Sequence, residues 1–120
     1  MKEKQIILFD LPKVSLNSFY ESKHWSHRKK IKDVYSLLLR NHKDTFSKEN
    51  VYEVEYLFEF KKNALDASNT IGMVKLIEDI IFEDDKWDII LSIKTSSRKA
   101  KIDKLTIIVK NNGNGNSSNS

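Results

Sequence analysis

The chain has 120 residues, 39% of them apolar and 32% charged, with a net charge of +4 and no cysteine. That length and balance fit a single globular domain with a core of its own, and they exclude disulfides, thiolate zinc sites and cysteine nucleophiles. Three glycines and one proline leave no place for a glycine-rich phosphate loop or a dinucleotide fingerprint, so no nucleotide cofactor is expected.

The first apolar run, residues 6–9, is too short for a secretory signal or a membrane span. Residues 5–10 therefore read as a strand closed by Leu11 and Pro12, and the protein as cytoplasmic, without a membrane partner. A polar connection through Ser15, Asn17 and Ser18 follows. Ile31, Val34, Tyr35, Leu38 and Leu39 then recur at helical spacing, which predicts a helix over residues 26–43 with Ser26 as its N-cap.

Residues 51–61 alternate, with Tyr52, Val54, Tyr56, Phe58 and Phe60 on one side and Glu53, Glu55, Glu59 and Lys61 on the other. This is the pattern of a half-buried strand in an antiparallel sheet. A second helix is predicted over residues 69–82. Two further strands are predicted over residues 88–94 and 104–110, joined by a polar, basic connection over 95–103. The order β-α-β-α-β-β defines an α+β domain over residues 1–110, a two-layer arrangement of two helices on one face of a mixed or antiparallel sheet. Residues 111–120 are all Asn, Gly or Ser and read as a flexible tail.

The second helix carries the residues of chemical interest. At about 100° per residue, Gly72, Lys75 and Asp79 fall within about 40° of Ser68, while Met73, Val74, Leu76, Ile77, Ile80 and Ile81 take the other side. Ser68, Gly72, Lys75 and Asp79 thus form a narrow polar stripe, with Gly72 as a low point where a ligand can come close. Lys75 and Asp79 also have the spacing of an ordinary surface ion pair. Asp66 stands just before the helix, where free N–H groups favour anions.

Six acids (Glu78, Asp79, Glu83, Asp84, Asp85 and Asp88) face one base, Lys86, over residues 78–88. Taken alone, such a run at a turn is most often a solvated loop, and Asp84 or Asp85 suits a tight turn. A concentrated negative centre inside a basic chain nevertheless suits a hard cation held by carboxylates with a polyanion around it. The bases lie in two groups. Residues 23–44 hold seven (Lys23, Arg28, Lys29, Lys30, Lys32, Arg40, Lys43) against two acids, and residues 94–104 hold five (Lys94, Arg98, Lys99, Lys101, Lys104) against one. Two basic groups flanking an acidic centre point to phosphate-backbone binding, with Trp25 and Tyr20 placed to stack on bases. The three histidines, His24, His27 and His42, lack the grouping a zinc site needs.

In three places the residues resemble the RusA-like Holliday-junction resolvases and their phage relatives, and together these cover most of residues 6–110. Leu11-Pro12-Lys13-Val14-Ser15-Leu16-Asn17-Ser18-Phe19-Tyr20, followed by His24-Trp25 and Arg28-Lys29-Lys30, is similar to the family's Pro-x-x-Ser-x-Asn-x-x-Tyr segment. Asp66-Ala67-Ser68-Asn69 resembles its Asp-x-Asp-Asn motif at a helix start. Lys75, Asp79 and Asp84-Asp85 resemble its helix lysine, helix aspartate and Asp-Asp turn, in the same order. Two departures stand out. Ser68 occupies the usual place of a second aspartate, and Lys75 lies one helical turn further from Asn69 than the common pattern has it.

The resemblance implies a cytoplasmic homodimer, in a bacterium or a phage-infected host, that binds branched DNA and resolves four-way junctions by paired nicks in recombination or repair. It implies Mg2+ as cofactor, with Mn2+ as a substitute, held by Asp66 and Asp85 with Asp84 as neighbour or alternative ligand. Asp66, Lys75 and Asp85 would be the catalytic residues, with Lys75 on the phosphate. Ser68, Asn69 and Asp79 would neighbour the site, and Arg28, Lys29, Lys30, Lys94, Arg98 and Lys99 would meet the DNA. Two other readings remain open: a DNA-binding module of this fold that cuts poorly because Ser68 is a weak ligand, and an unrelated α+β interaction protein with solvated charges.

Overall fold

A computed structural model describes residues 2–14 and 25–113, with side chains in the second segment from Arg28 onward. Ser15 to Tyr20, with Lys23, His24 and the side chains of Trp25, Ser26 and His27, lie outside the described residues. The expected N-terminal segment and its stacking aromatics fall largely within that part.

The elements follow the expected order. They are strand β1 (Lys2–Phe9), helix α1 (Trp25–Leu38), strand β2 (Tyr52–Phe60), helix α2 (Ile71–Ile81), and strands β3 (Ile90–Lys99) and β4 (Lys104–Asn111). Short 3-10 turns, Arg40–His42 and Ala67–Thr70, close α1 and open α2. The result is the expected α+β domain. Among the described residues, no helix is long and apolar enough to cross a membrane.

The four strands form one sheet in the order β1-β4-β2-β3. β4 runs antiparallel to both β1 and β2, whereas β3 runs parallel to β2. The expected antiparallel setting of the long strand therefore holds on one side only. A parallel partner needs a crossover connection, and α2 supplies it between β2 and β3. β3 is also longer than its apolar residues suggest. Thr95, Ser96, Ser97, Arg98 and Lys99, expected as a connection, extend the strand because β2 offers them backbone partners as far as Phe60. At the other end, Asn111 pairs with Lys2 and Tyr52, and Val51 bonds through its backbone to Asn112 and Gly113. The expected tail thus begins at least three residues later than composition indicated.

Alternation in β2 buries Tyr52, Val54, Tyr56, Phe58 and Phe60 against the helices. Leu105, Ile107 and Val109 of β4 and Ile6 of β1 extend that layer. From the helix side come Tyr35 and Leu39, and Met73, Val74, Leu76, Ile77 and Ile81 of α2. Tyr35 also donates its hydroxyl to the Pro12 carbonyl, tying α1 to the chain leaving β1. Where α2 ends, Phe46, Tyr52 and Phe82 pack with ring centroids 4.9–5.5 Å apart. This cluster fixes the start of the loop that follows.

Candidate functional site

The approach to α2 is clamped onto β3. The Thr70 hydroxyl donates to the Ala67 carbonyl at 2.6 Å and lies 2.6 Å from the Thr95 hydroxyl. A hydroxyl has one proton, so Thr95 must donate to Thr70. The Ser97 hydroxyl donates to the Leu65 carbonyl, one residue before Asp66. Asp66 itself holds the 3-10 turn with its backbone carbonyl, which accepts the N–H groups of Asn69 and Thr70 at 2.8 and 3.2 Å. Its carboxylate is exposed, as is Ser68, and Asn69 is half-buried.

The expected polar stripe is only partly realised. Lys75 and Asp79 are exposed, but Gly72 is buried and offers no open low point to a ligand. Spacing assigned it to the polar side, whereas the buried face of α2 is wide enough to include it.

The acids gather around the second half of α2. Glu78 faces the core at 3% exposure and its Oε2 has no well-formed hydrogen bond among the described residues. Burial pushes its pKa up to about 7, Asp85 and Asp79 add to the rise, and Lys75 opposes it. Asp79 is also raised, first by partial burial and then by Asp85, with Lys32 and Lys75 acting the other way. The carboxyl groups of Asp79 and Asp85 come close enough for Asp85 to disfavour the charged form of Asp79. Tyr56 lies beneath, its hydroxyl buried beside Glu78 and without a well-formed hydrogen bond among the described residues. Burial, then Glu78, then Asp85 hold that phenol protonated.

Of the site residues expected from the sequence, Asp85, Asp79 and Lys75 are brought together. Asp66 and Asp84 are not among the groups that act on Glu78 or Asp79. Asp84 instead closes its own turn, accepting the Lys86 N–H at 3.1 Å and pairing with the Lys86 ammonium at 3.7 Å. Among the described residues, no three His, Asp or Glu side chains are placed to hold a metal ion as they stand. Glu78, Tyr56 and Lys32 are the members that sequence reasoning missed. Glu78 was visible only as one acid of six, and its burial required knowing which face of α2 meets the sheet. Lys32 reaches the site from α1, a contact between elements far apart in sequence.

The two basic groups part company. Lys32 stands by Asp79, and Lys30 borders an apolar groove of about 390 Å3 between α1 and the Pro12–Val14 segment. Arg28 is half-buried, and Lys29 is paired along α1 with Asp33 at 3.1 Å. Lys94 and Arg98, however, follow the alternation of β3 onto the helix-free face of the sheet. There they pair with Glu55 and Glu59 at 3.6 and 3.0 Å. Lys99, opposite Phe60, is exposed at the far end of β3 on the helix side. The second basic group therefore does not flank the acids as one surface.

Fold and site together define a two-layer α+β domain with a carboxylate–lysine centre over its second helix. No protein-family model matches the chain, and comparison with characterised proteins finds no match.

Proposed function

We propose that this protein is a divalent-metal-dependent endonuclease that acts on branched DNA. The observation that carries the reading is the meeting of Asp79 and Asp85 beside Lys75 and Lys32, with Glu78 buried behind them. Burial and then the nearby Asp85 raise the pKa of Asp79, and a cation placed there would relieve that repulsion. Mg2+ takes oxygen ligands and is commonly held by one or two carboxylates together with waters and a substrate phosphate. The Asp79–Asp85 pair fits that requirement, with the DNA completing a set that the protein leaves partial. Asp66, on the clamped approach to α2, is the further ligand implied by the resolvase resemblance.

A divalent ion held by Asp79 and Asp85 would supply Lewis acidity at a phosphate and make a water molecule more acidic. Lys75 and Lys32 hold the phosphate oxygens and offset the charge that develops on them. The basic face of α1 follows the DNA backbone. A homodimer in the cytoplasm suits the substrate, because a two-fold assembly presents two such centres to the two related strands of a four-way junction.

Nicking of a synthetic four-way junction, with Mg2+ and with EDTA, tests the reading. Cutting that needs the metal and is abolished in Asp85→Asn is the expected result. Loss in Asp66→Asn as well assigns that residue to the same centre. Junction binding without cutting at any Mg2+ or Mn2+ concentration would support the alternative of a binding module. Ser68 in place of a family aspartate and the lack of a ready three-acid set favour that alternative.

A further inference from the structure

Trp87 is the most exposed large apolar side chain described, at 85%. Tryptophan is seldom left so open to water, and burying it elsewhere would be favourable. Its exposure is enforced by the loop between α2 and β3. At the start, the Glu83 N–H bonds to the Phe46 carbonyl and the Glu83 carboxylate accepts the Lys48 N–H, each at 2.9 Å. At the end, Ile89 and Ile90 are buried, and the Ile89 carbonyl accepts the Tyr52 N–H at 2.7 Å. Between these anchors the Lys86 carbonyl accepts the N–H groups of Ile89 and Ile90 at 2.9 and 3.0 Å, and Asp84 caps Lys86. A hydrogen-bonded turn thus projects the indole two residues beyond Asp85.

We propose that Trp87 is a structure-selecting residue that stacks on the nucleobase face laid open at a DNA branch point. This rests on the endonuclease reading above and names the feature of the substrate that the site recognises. The interior of a duplex offers no free π face, whereas a branch interrupts stacking and exposes one. Stacking on an aromatic side chain is tolerant of sequence, so it selects shape. The neighbouring acids disfavour a phosphate against this turn in the absence of metal, so on DNA the contact falls to the base and not to the backbone. A rigid turn also fixes the indole relative to Asp85, so stacking sets which phosphate is presented to the carboxylates.

The test uses full-length protein labelled with 5-fluorotryptophan, which gives two indole 19F resonances, one of them identified as Trp87 by its loss in Trp87→Phe. A synthetic four-way junction in EDTA should shift the Trp87 resonance, and a linear duplex of equal length should not. Trp87→Ala should weaken junction binding by about tenfold and duplex binding by less than twofold, with Trp87→Phe intermediate. An unmoved resonance while labelled junction is seen to bind by fluorescence anisotropy would overturn the role of Trp87 and leave the endonuclease reading standing. Equal losses on junction and duplex would reduce Trp87 to a general contact and likewise overturn the proposal. Absence of any DNA binding by the parent would overturn both, and a resonance moved only by added protein would assign the turn to a protein partner instead.

Discussion

The Tyr56 hydroxyl and the Glu78 carboxylate are buried side by side, close enough to act on each other's ionisation, yet neither the phenol oxygen nor Glu78 Oε2 has a well-formed hydrogen bond among the described residues. Unpaired polar atoms of this kind cost roughly 1–3 kcal/mol each relative to a satisfied core. Glu78 lies against Asp79 and Asp85, and both acids add to the rise in its pKa.

Stability should therefore fall with rising pH. The Glu78 pKa is raised from its ordinary 4.5 to about 7, so between these values the folded chain holds a proton that the unfolded chain has released. Its contribution is fully present below pH 4.5 and is lost as pH rises through 7. Glu78→Gln removes that dependence while keeping the shape. In EDTA its melting temperature should exceed that of the parent at pH 8, by up to about 3 kcal/mol of stability, and the gap should shrink at pH 5. Calorimetry at the two pH values checks this; an equal gap at both would show that Glu78 ionises normally in the fold.

Element order, the α+β class and the inward aromatic face of β2 were legible in the sequence, because alternation and helical spacing report which side of an element is buried. Sheet connectivity was not. Nothing in Thr95, Ser96, Ser97, Arg98 and Lys99 themselves announces a strand; the parallel partner β2 makes them one. The same limit applied to the site. Asp85, Asp79 and Lys75 could be singled out as chemistry on or after one helix, but Lys32 and Tyr56 join them through packing between α1, α2 and β2. Charge counting grouped Lys94 and Arg98 with a DNA surface, whereas strand alternation turned them onto the other face, against Glu55 and Glu59.

That division predicts which lysines govern the salt dependence of DNA binding. Each phosphate neutralised contributes about 0.9 to the slope of log affinity against log salt. Lys30→Ala combined with Lys32→Ala should reduce the slope by about 2, since both lysines are exposed on α1, the helix that brings Lys32 to Asp79. Lys94→Ala with Arg98→Ala should leave it nearly unchanged, because these side chains already neutralise glutamates on the helix-free face. Titrations at several salt concentrations distinguish the pairs, and a larger effect from the β3 pair would move the DNA to the opposite side of the domain.

The C-terminal boundary can be tested by two truncations. Removal of residues 114–120 takes away only Asn, Gly and Ser and should leave the melting temperature within about a degree. Removal from Asn111 onward also takes away the pairing of Asn111 with Lys2 and Tyr52, and the backbone bonds from Val51 to Asn112 and Gly113. Several ladder hydrogen bonds at roughly 0.5–1.5 kcal/mol each are at stake, so this shorter chain should melt several degrees lower. Equal melting temperatures would return Asn111, Asn112 and Gly113 to the tail.

Asp85→Asn separates the electrostatics of the site from its chemistry. Asp85 raises both Glu78 and Asp79, so its replacement by an uncharged amide of the same shape should bring both carboxyls down toward their ordinary range. For Glu78 the effect is partial, because burial remains the larger cause of its shift. For Asp79 the change is twofold: a repelling charge is lost, and the amide can donate a hydrogen bond to the ionised carboxylate. Carbon-13 NMR of the side-chain carboxyls across pH 3–9 follows both titrations. The same variant, freed of one unpaired negative charge, should be more stable than the parent above pH 7 in EDTA and should lose part of the parent's response to added Mg2+. Unchanged titrations of Glu78 and Asp79 in Asp85→Asn would mean that the loop after α2 does not bring Asp85 to this centre, and the endonuclease reading would lose the contact on which it stands.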